Sequence, residues 1–149
     1  MTIQRIGVGK RMSEAVVYGG VARLAGFVAD KTAGKSVKEQ TAEILSMIDA
    51  TLKQAGTDKT KILKANIWLT DIATFAHMNE AWDAWVPQGH TPARATVESK
   101  LAAPGLDVAV GVPLMVTPPL SRPMVVVPSA PSLAIVLSLV GHIAGSWAR

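Results

Sequence analysis

Glu14-Ala15-Val16-Val17-Tyr18-Gly19-Gly20-Val21-Ala22-Arg23-Leu24-Ala25 is the stretch whose reading decides the fold. Residues 14–18 and 21–25 are two short strand candidates. Gly19-Gly20 between them suits a two-residue hairpin turn, which requires positive φ at its central positions. The chain thus enters its fold as an antiparallel pair. A helix is expected next from Ser36, with Glu39 three residues on as in a capping box. Val37, Thr41, Ile44, Leu45, Ile48 and Leu52 recur at helical spacing, and Gly56 follows as a stop. One face of this helix must lie on something apolar.

Residues 62–69 read as a buried strand ending at Thr70-Asp71. A second helix is expected over 74–86, closed by Pro87. Phe75, Met78, Trp82 and Trp85 fall at i, i+3, i+7 and i+10, the spacing of one helical face, so core packing is favoured over a ligand box. Residues 94–100 and 107–112 are the last strand candidates. The order β-β-α-β-α-β-β defines an α+β domain with a mixed sheet and two helices on one face.

At 149 residues the chain holds one domain with a real core. No cysteine is present, which excludes disulfides, thiolate metal sites and a cysteine nucleophile. His77, His90 and His142 lack metal-ligand spacing, so no metal is expected. The net charge of +4 is dispersed, with Lys59, Lys61 and Lys64 as the nearest thing to a cluster, and one tyrosine and two phenylalanines offer little base stacking. Nucleic acid is therefore not an expected partner. The first residues lack a signal-peptide apolar run, which makes the cytoplasm the expected compartment.

Pro92-Ala93-Arg94-Ala95-Thr96-Val97-Glu98 carries the candidate chemistry. A guanidinium at the start of a strand, just after a proline, is suited to gripping a planar carboxylate through two parallel hydrogen bonds. A solvated charge or an interface ion pair is the bland alternative.

With this order in place a family resemblance appears. Met12-Ser13-Glu14-Ala15-Val16, Leu24-Ala25-Gly26, Asn66-Ile67-Trp68-Leu69-Thr70-Asp71, Phe75-Ala76-His77-Met78-Asn79, Trp82-Asp83-Ala84-Trp85 and Pro92-Ala93-Arg94 resemble the RidA (YjgF) family over about residues 3–112. The resemblance implies a chorismate-mutase-like homotrimer with ligand clefts between subunits. It also implies cofactor-free hydrolysis of reactive 2-imino acids and enamines to 2-keto acids and ammonia. Arg94 then binds the substrate carboxylate as the catalytic arginine. Thr96 stands where the deaminase branch often has cysteine, with its backbone available to ligand, and Ala25 and Gly26 stand in the branch's Ser-Gly-Gln, followed by Phe27. The pocket tyrosine aligns near Met12, and the last-strand acid falls on Ala109. Glu98 lies roughly 13 Å from Arg94 along the strand, at about 3.3 Å per residue, too far to replace that acid within one subunit. Glu14 of another subunit is the remaining stand-in. A trimer that binds small carboxylates without turning them over is the alternative reading.

Composition changes sharply near residue 112, giving a domain over 1–112 and an atypical tail over 113–149. Beyond the boundary lie Pro113, Pro118, Pro119, Pro123, Pro128 and Pro131, six of the nine prolines, with Arg122 and Arg149 the only charged residues. Pro113 is expected to interrupt the last strand, because it removes a ladder donor. A membrane helix needs about 20 apolar residues, and Pro128 and Pro131 leave a shorter clean run, which disfavours a span. A short helix on the domain and a frameshifted end are the other two readings of the tail.

Overall fold

The computed structural model describes residues 1–116, with side chains through residue 113. Seven strands form one sheet: β1 (Gln4–Val8), β2 (Ser13–Tyr18), β3 (Val21–Leu24), β4 (Gly26–Val28), β5 (Ile62–Leu69), β6 (Ala93–Glu98) and β7 (Val108–Val116). Helices α1 (Val37–Gln54) and α2 (Phe75–Trp85) complete the mixed α+β fold. The strand order is β1-β2-β3-β7-β5-β6, with β4 also paired to β7. Every pairing is antiparallel except β5 with β6.

The β2–β3 hairpin closes at Gly19-Gly20 as expected. Both glycines have positive φ, +60° and +75°, and Tyr18 pairs with Val21 across the turn. Ala25 is where the chain leaves β3: its N–H donates to the Glu14 carbonyl at 2.8 Å, and β4 resumes along β7. Strand β1 has no counterpart in the sequence reading. Only Ile6 of its five residues is buried, so it carries too few core positions for a visible alternation.

Helix α1 starts at the expected capping box. The Ser36 hydroxyl accepts from the Glu39 N–H, and the Glu39 carboxylate accepts from the Ser36 N–H at 3.2 Å. All six residues read as its inner face are buried. They pack against Ala15, Leu24, Ile67, Leu69, Val108 and Val110 on one sheet face. Fully burying side chains such as Ile44, Leu45, Ile48 and Leu52 contributes roughly 1.5–3 kcal/mol each.

Gln40, fully buried on the same helix, joins α1 to the loop before β7. Its Nε2 lies 2.9 Å from the Lys35 carbonyl, 3.1 Å from the Gly105 carbonyl and 2.9 Å from Asp107 Oδ2, while its Oε1 accepts from the Asp107 N–H at 3.0 Å. This buried amide sets where β7 begins.

Pro113 does not interrupt β7, contrary to the sequence expectation. On β5, Lys64 and Asn66 face Leu114 and Gly111, so Val112 and Pro113 together oppose Ala65. That extra residue is a bulge, where a missing N–H disturbs no ladder bond. A compensating shift between Ile62 and Lys64 restores the register. Residues 113–116 of the tail belong to β7, and its three readings otherwise fall on 117–149, outside the described residues.

Two outcomes test this frame. Gln40→Ala strips partners from a carboxylate, a backbone N–H and two carbonyls, and is expected to destabilise by about 2–3 kcal/mol in denaturant unfolding. Glu43 accepts from the Lys31 and Thr32 N–H groups at 2.9 and 2.8 Å and from the Thr32 hydroxyl. These bonds, the Thr32 hydroxyl's first, lower its pKa to about 2. A carboxylate depressed by folding stabilises fully above its ordinary pKa of 4.5 and loses that contribution as pH falls through about 2. Glu43→Gln is therefore expected to flatten the stability-versus-pH curve between those two values.

Candidate functional site

Arg94 is the second residue of β6, the edge strand. It pairs in register with Ala65 of β5, whose side chain is fully buried on the helix-covered face, so Arg94 points to the helices as well. The guanidinium meets α2. Its Nη1 donates to Asn79 Oδ1 at 2.8 Å, and its Cζ lies 5.6 Å from the Phe75 ring centre and 5.2 Å from that of Trp82. Phe75, Asn79 and Trp82 fall at i, i+4 and i+7, one helical face. Two aromatic faces and one amide oxygen thus hold a half-buried cation.

This revises the aromatic stripe. Met78 and Trp82 are core residues as expected, but Phe75 is 39% exposed and packs on Arg94. Trp85 is only partly buried: its Nε1 donates to Asp49 Oδ2 at 2.9 Å, and Lys59 Nζ sits 5.2 Å from its ring centre. Asn79 closes the Phe75-Ala76-His77-Met78-Asn79 motif, and the sequence alone assigns it no role. Its four-residue offset from Phe75 is the sequence signal that puts both on one helical face.

Among the described residues, no carboxylate lies within ion-pair distance of Arg94. Glu98, on the same strand face, is engaged at the far end of β6, where its Oε2 accepts from the Ile72 N–H at 2.9 Å. Thr96 lies between them on that face. Its Oγ1 is buried and has no hydrogen-bond partner among the described residues.

The other candidate positions lie elsewhere. Ala109 pairs with Trp68 and Val28, on the opposite sheet face from Val108 and Val110, and so from Arg94. That face is close-packed at Gly111, where a Cβ would come within 3.1 Å of the Trp68 ring. Gly26 pairs with Gly111. Phe27 points into the core and is no pocket residue. Met12 is exposed between β1 and β2. Within one chain Arg94 and Thr96 therefore come together, while Ala25, Gly26 and Ala109 remain apart from them. Among the described residues no group of His, Asp and Glu is arranged to hold a metal ion, and no helix is long and apolar enough to cross a membrane.

This fold and the Pro-Ala-Arg strand define a small α+β protein of the YjgF type. The family model described as "Endoribonuclease L-PSP" matches residues 2–113. A RutC family protein of Haemophilus influenzae is 44% identical over 110 residues, covering 74% of this chain and 95% of that protein. The RutC family protein YoaB of Escherichia coli is 42% identical over 110 residues, covering 74% of this chain and 95% of its own. A crystal structure of a YjgF family member from Neisseria meningitidis superposes with TM-score 0.75 at 42% identity, covering 79% of this chain and 97% of that one. The chain belongs to this family, the RidA/YjgF/RutC group.

Thr96→Val keeps side-chain shape and removes the unpartnered hydroxyl. Thermal unfolding is expected to show unchanged stability or a gain of about 1 kcal/mol. A loss larger than that would mean the hydroxyl has a structural partner.

Proposed function

We propose that this protein binds small carboxylates through Arg94 and hydrolyses reactive 2-imino acids and enamines to 2-keto acids and ammonia. The reaction takes place at a cleft between subunits of a homotrimer in the cytoplasm. One observation carries the reading: a half-buried guanidinium is held by a neutral amide and two aromatic rings, with no carboxylate beside it among the described residues. Such a cation favours an anionic ligand, and a planar carboxylate fits its remaining N–H groups.

The chemistry asks little of the protein. Water adds to C2 of the imine, its surplus proton passes to nitrogen, and ammonia leaves as the carbonyl forms. Arg94 orients the substrate by its carboxylate, as proximity catalysis requires. The Thr96 hydroxyl and backbone supply a second contact, and the Ala25 and Gly26 backbone of another subunit completes the cleft. No cofactor or metal is called for.

The homotrimer is supported by the layout of the chain. Arg94 sits on an edge strand, while Ala25, Gly26 and Ala109 belong to a region two or three strands away. A second copy is needed to bring them together. The sheet face without helices also exposes apolar residues, Tyr18 and Val97 among them, which an interface would cover. The tail read as starting at residue 113 would then begin inside β7.

Ala109 favours a second reading, carboxylate binding without turnover. An alanine cannot move a proton, and Glu98 is bound elsewhere. The endoribonuclease description of the family model is a third chemistry. It gains little here, because the Phe75 and Trp82 rings flank a guanidinium and do not stand open for bases.

The test uses the purified full chain and 2-iminopropanoate generated in situ. Acceleration of hydrolysis, and a rise in melting temperature with 2-oxobutanoate, are both expected to vanish in Arg94→Ala. Ala109→Glu is expected to raise the rate by up to about a hundredfold, the lower end of what one general acid/base supplies. Thermal stabilisation without acceleration selects the non-catalytic reading. Neither effect in folded wild-type protein overturns both.

A further inference from the structure

We infer that Asn79 is a positioning residue, whose neutral amide fixes the Arg94 guanidinium while leaving its positive charge to the incoming carboxylate. The inference rests on the carboxylate-binding reading above and names what makes that site work.

Phe75, Asn79 and Trp82 project from successive turns of α2 toward β6. The rings, at 5.6 and 5.2 Å from Cζ, restrict where the guanidinium can lie, and the Asn79 Oδ1 bond at 2.8 Å restricts its rotation. An arginine has five N–H donors, and this arrangement occupies one. A carboxylate held in the bidentate manner needs two more. Preorganisation by neutral groups spares the ligand the ordering of a long side chain.

Aspartate has the same shape as asparagine and would bind the guanidinium more strongly through a charge-assisted bond. Stability alone therefore favours aspartate at this position. Aspartate would also neutralise Arg94 and occupy the cation in place of a ligand. Two nearby acids are directed elsewhere. Glu80, the next residue of α2, pairs with Lys38 at 2.7 Å, and Glu98 of β6 caps the Ile72 N–H at 2.9 Å. The weaker, uncharged partner is the one consistent with a cation kept for an external anion.

The experiment compares wild type, Asn79→Asp and Asn79→Ala as full chains. Three quantities are read: the Kd for 2-oxobutanoate by calorimetry, the unliganded melting temperature, and the KM and kcat for 2-iminopropanoate. Asn79→Asp is expected to keep or raise the melting temperature while weakening 2-oxobutanoate by at least about tenfold, because an internal carboxylate competes for the guanidinium. Asn79→Ala retains the charge and is expected to weaken binding by roughly fivefold, the worth of one hydrogen bond, chiefly through KM. Wild-type affinity in Asn79→Asp overturns the inference. So does a loss of melting temperature in both variants with affinity unchanged, which would make Asn79 merely structural. If Asn79→Asp does not fold, Asn79→Ala decides: an unchanged Kd overturns the inference and the expected weakening supports it. No binding by folded wild type overturns the carboxylate reading, and this inference with it.

Discussion

Strand β6 runs parallel to β5, and a parallel pair cannot be joined by a tight turn. The chain must cross over the sheet between them, and α2 is that crossover. This one constraint lays α2 above β6 and turns its Phe75, Asn79 and Trp82 face onto the strand. Arg94, on the covered side of β6, then has a helix as its neighbour in place of a solvated edge. The candidate site is a consequence of the crossover and needs no loop of its own.

The site is also tied to the core. Trp82 is at once a core residue and one of the two rings against Arg94. Helix α2 packs on α1, whose Gln40 binds the backbone and carboxylate of Asp107 at the entrance to β7. The guanidinium therefore rests on a surface that the buried apolar contacts hold in place. Rigid support of this kind matters for a functional side chain, because its rotamer freedom is then lost on folding and not on binding.

The sequence and the structure agree wherever one residue type answers one local demand. Ser36 and Glu39 announce the start of α1, Gly19-Gly20 announces the hairpin, and the apolar spacing from Val37 to Leu52 names a buried face that is in fact buried. They part where pairing partners decide. Strand β1 exists because β2 offers it an edge, which the sequence Gln4-Arg5-Ile6-Gly7-Val8 does not reveal. Pro113 reads as a strand breaker, yet the offset between β5 and β7 places it in a bulge. Arg94 was legible as a candidate, since Pro92-Ala93-Arg94 marks it. Its company was not, because a helical stripe of aromatics looks the same whether it faces aliphatic side chains or a guanidinium.

The alanine at position 109 takes its meaning from geometry. Two strand spacings, roughly 10 Å at about 4.8 Å each, separate β6 from β7, and Ala109 faces the side of the sheet away from Arg94. An acid placed at 109 could not reach a substrate held by Arg94 of the same chain. It could act only on a substrate held by Arg94 of a neighbour whose β6 edge abuts this open face. Association would then be a requirement of turnover, separate from any stability it adds. The proposed grip of Arg94 on the carboxylate itself carries no such requirement, since the guanidinium and the Asn79, Phe75 and Trp82 side chains that hold it belong to one chain. On the proposed function, carboxylate binding and proton handling are thus separable in this layout: the first rests on one chain's Arg94, the second on a different sheet face.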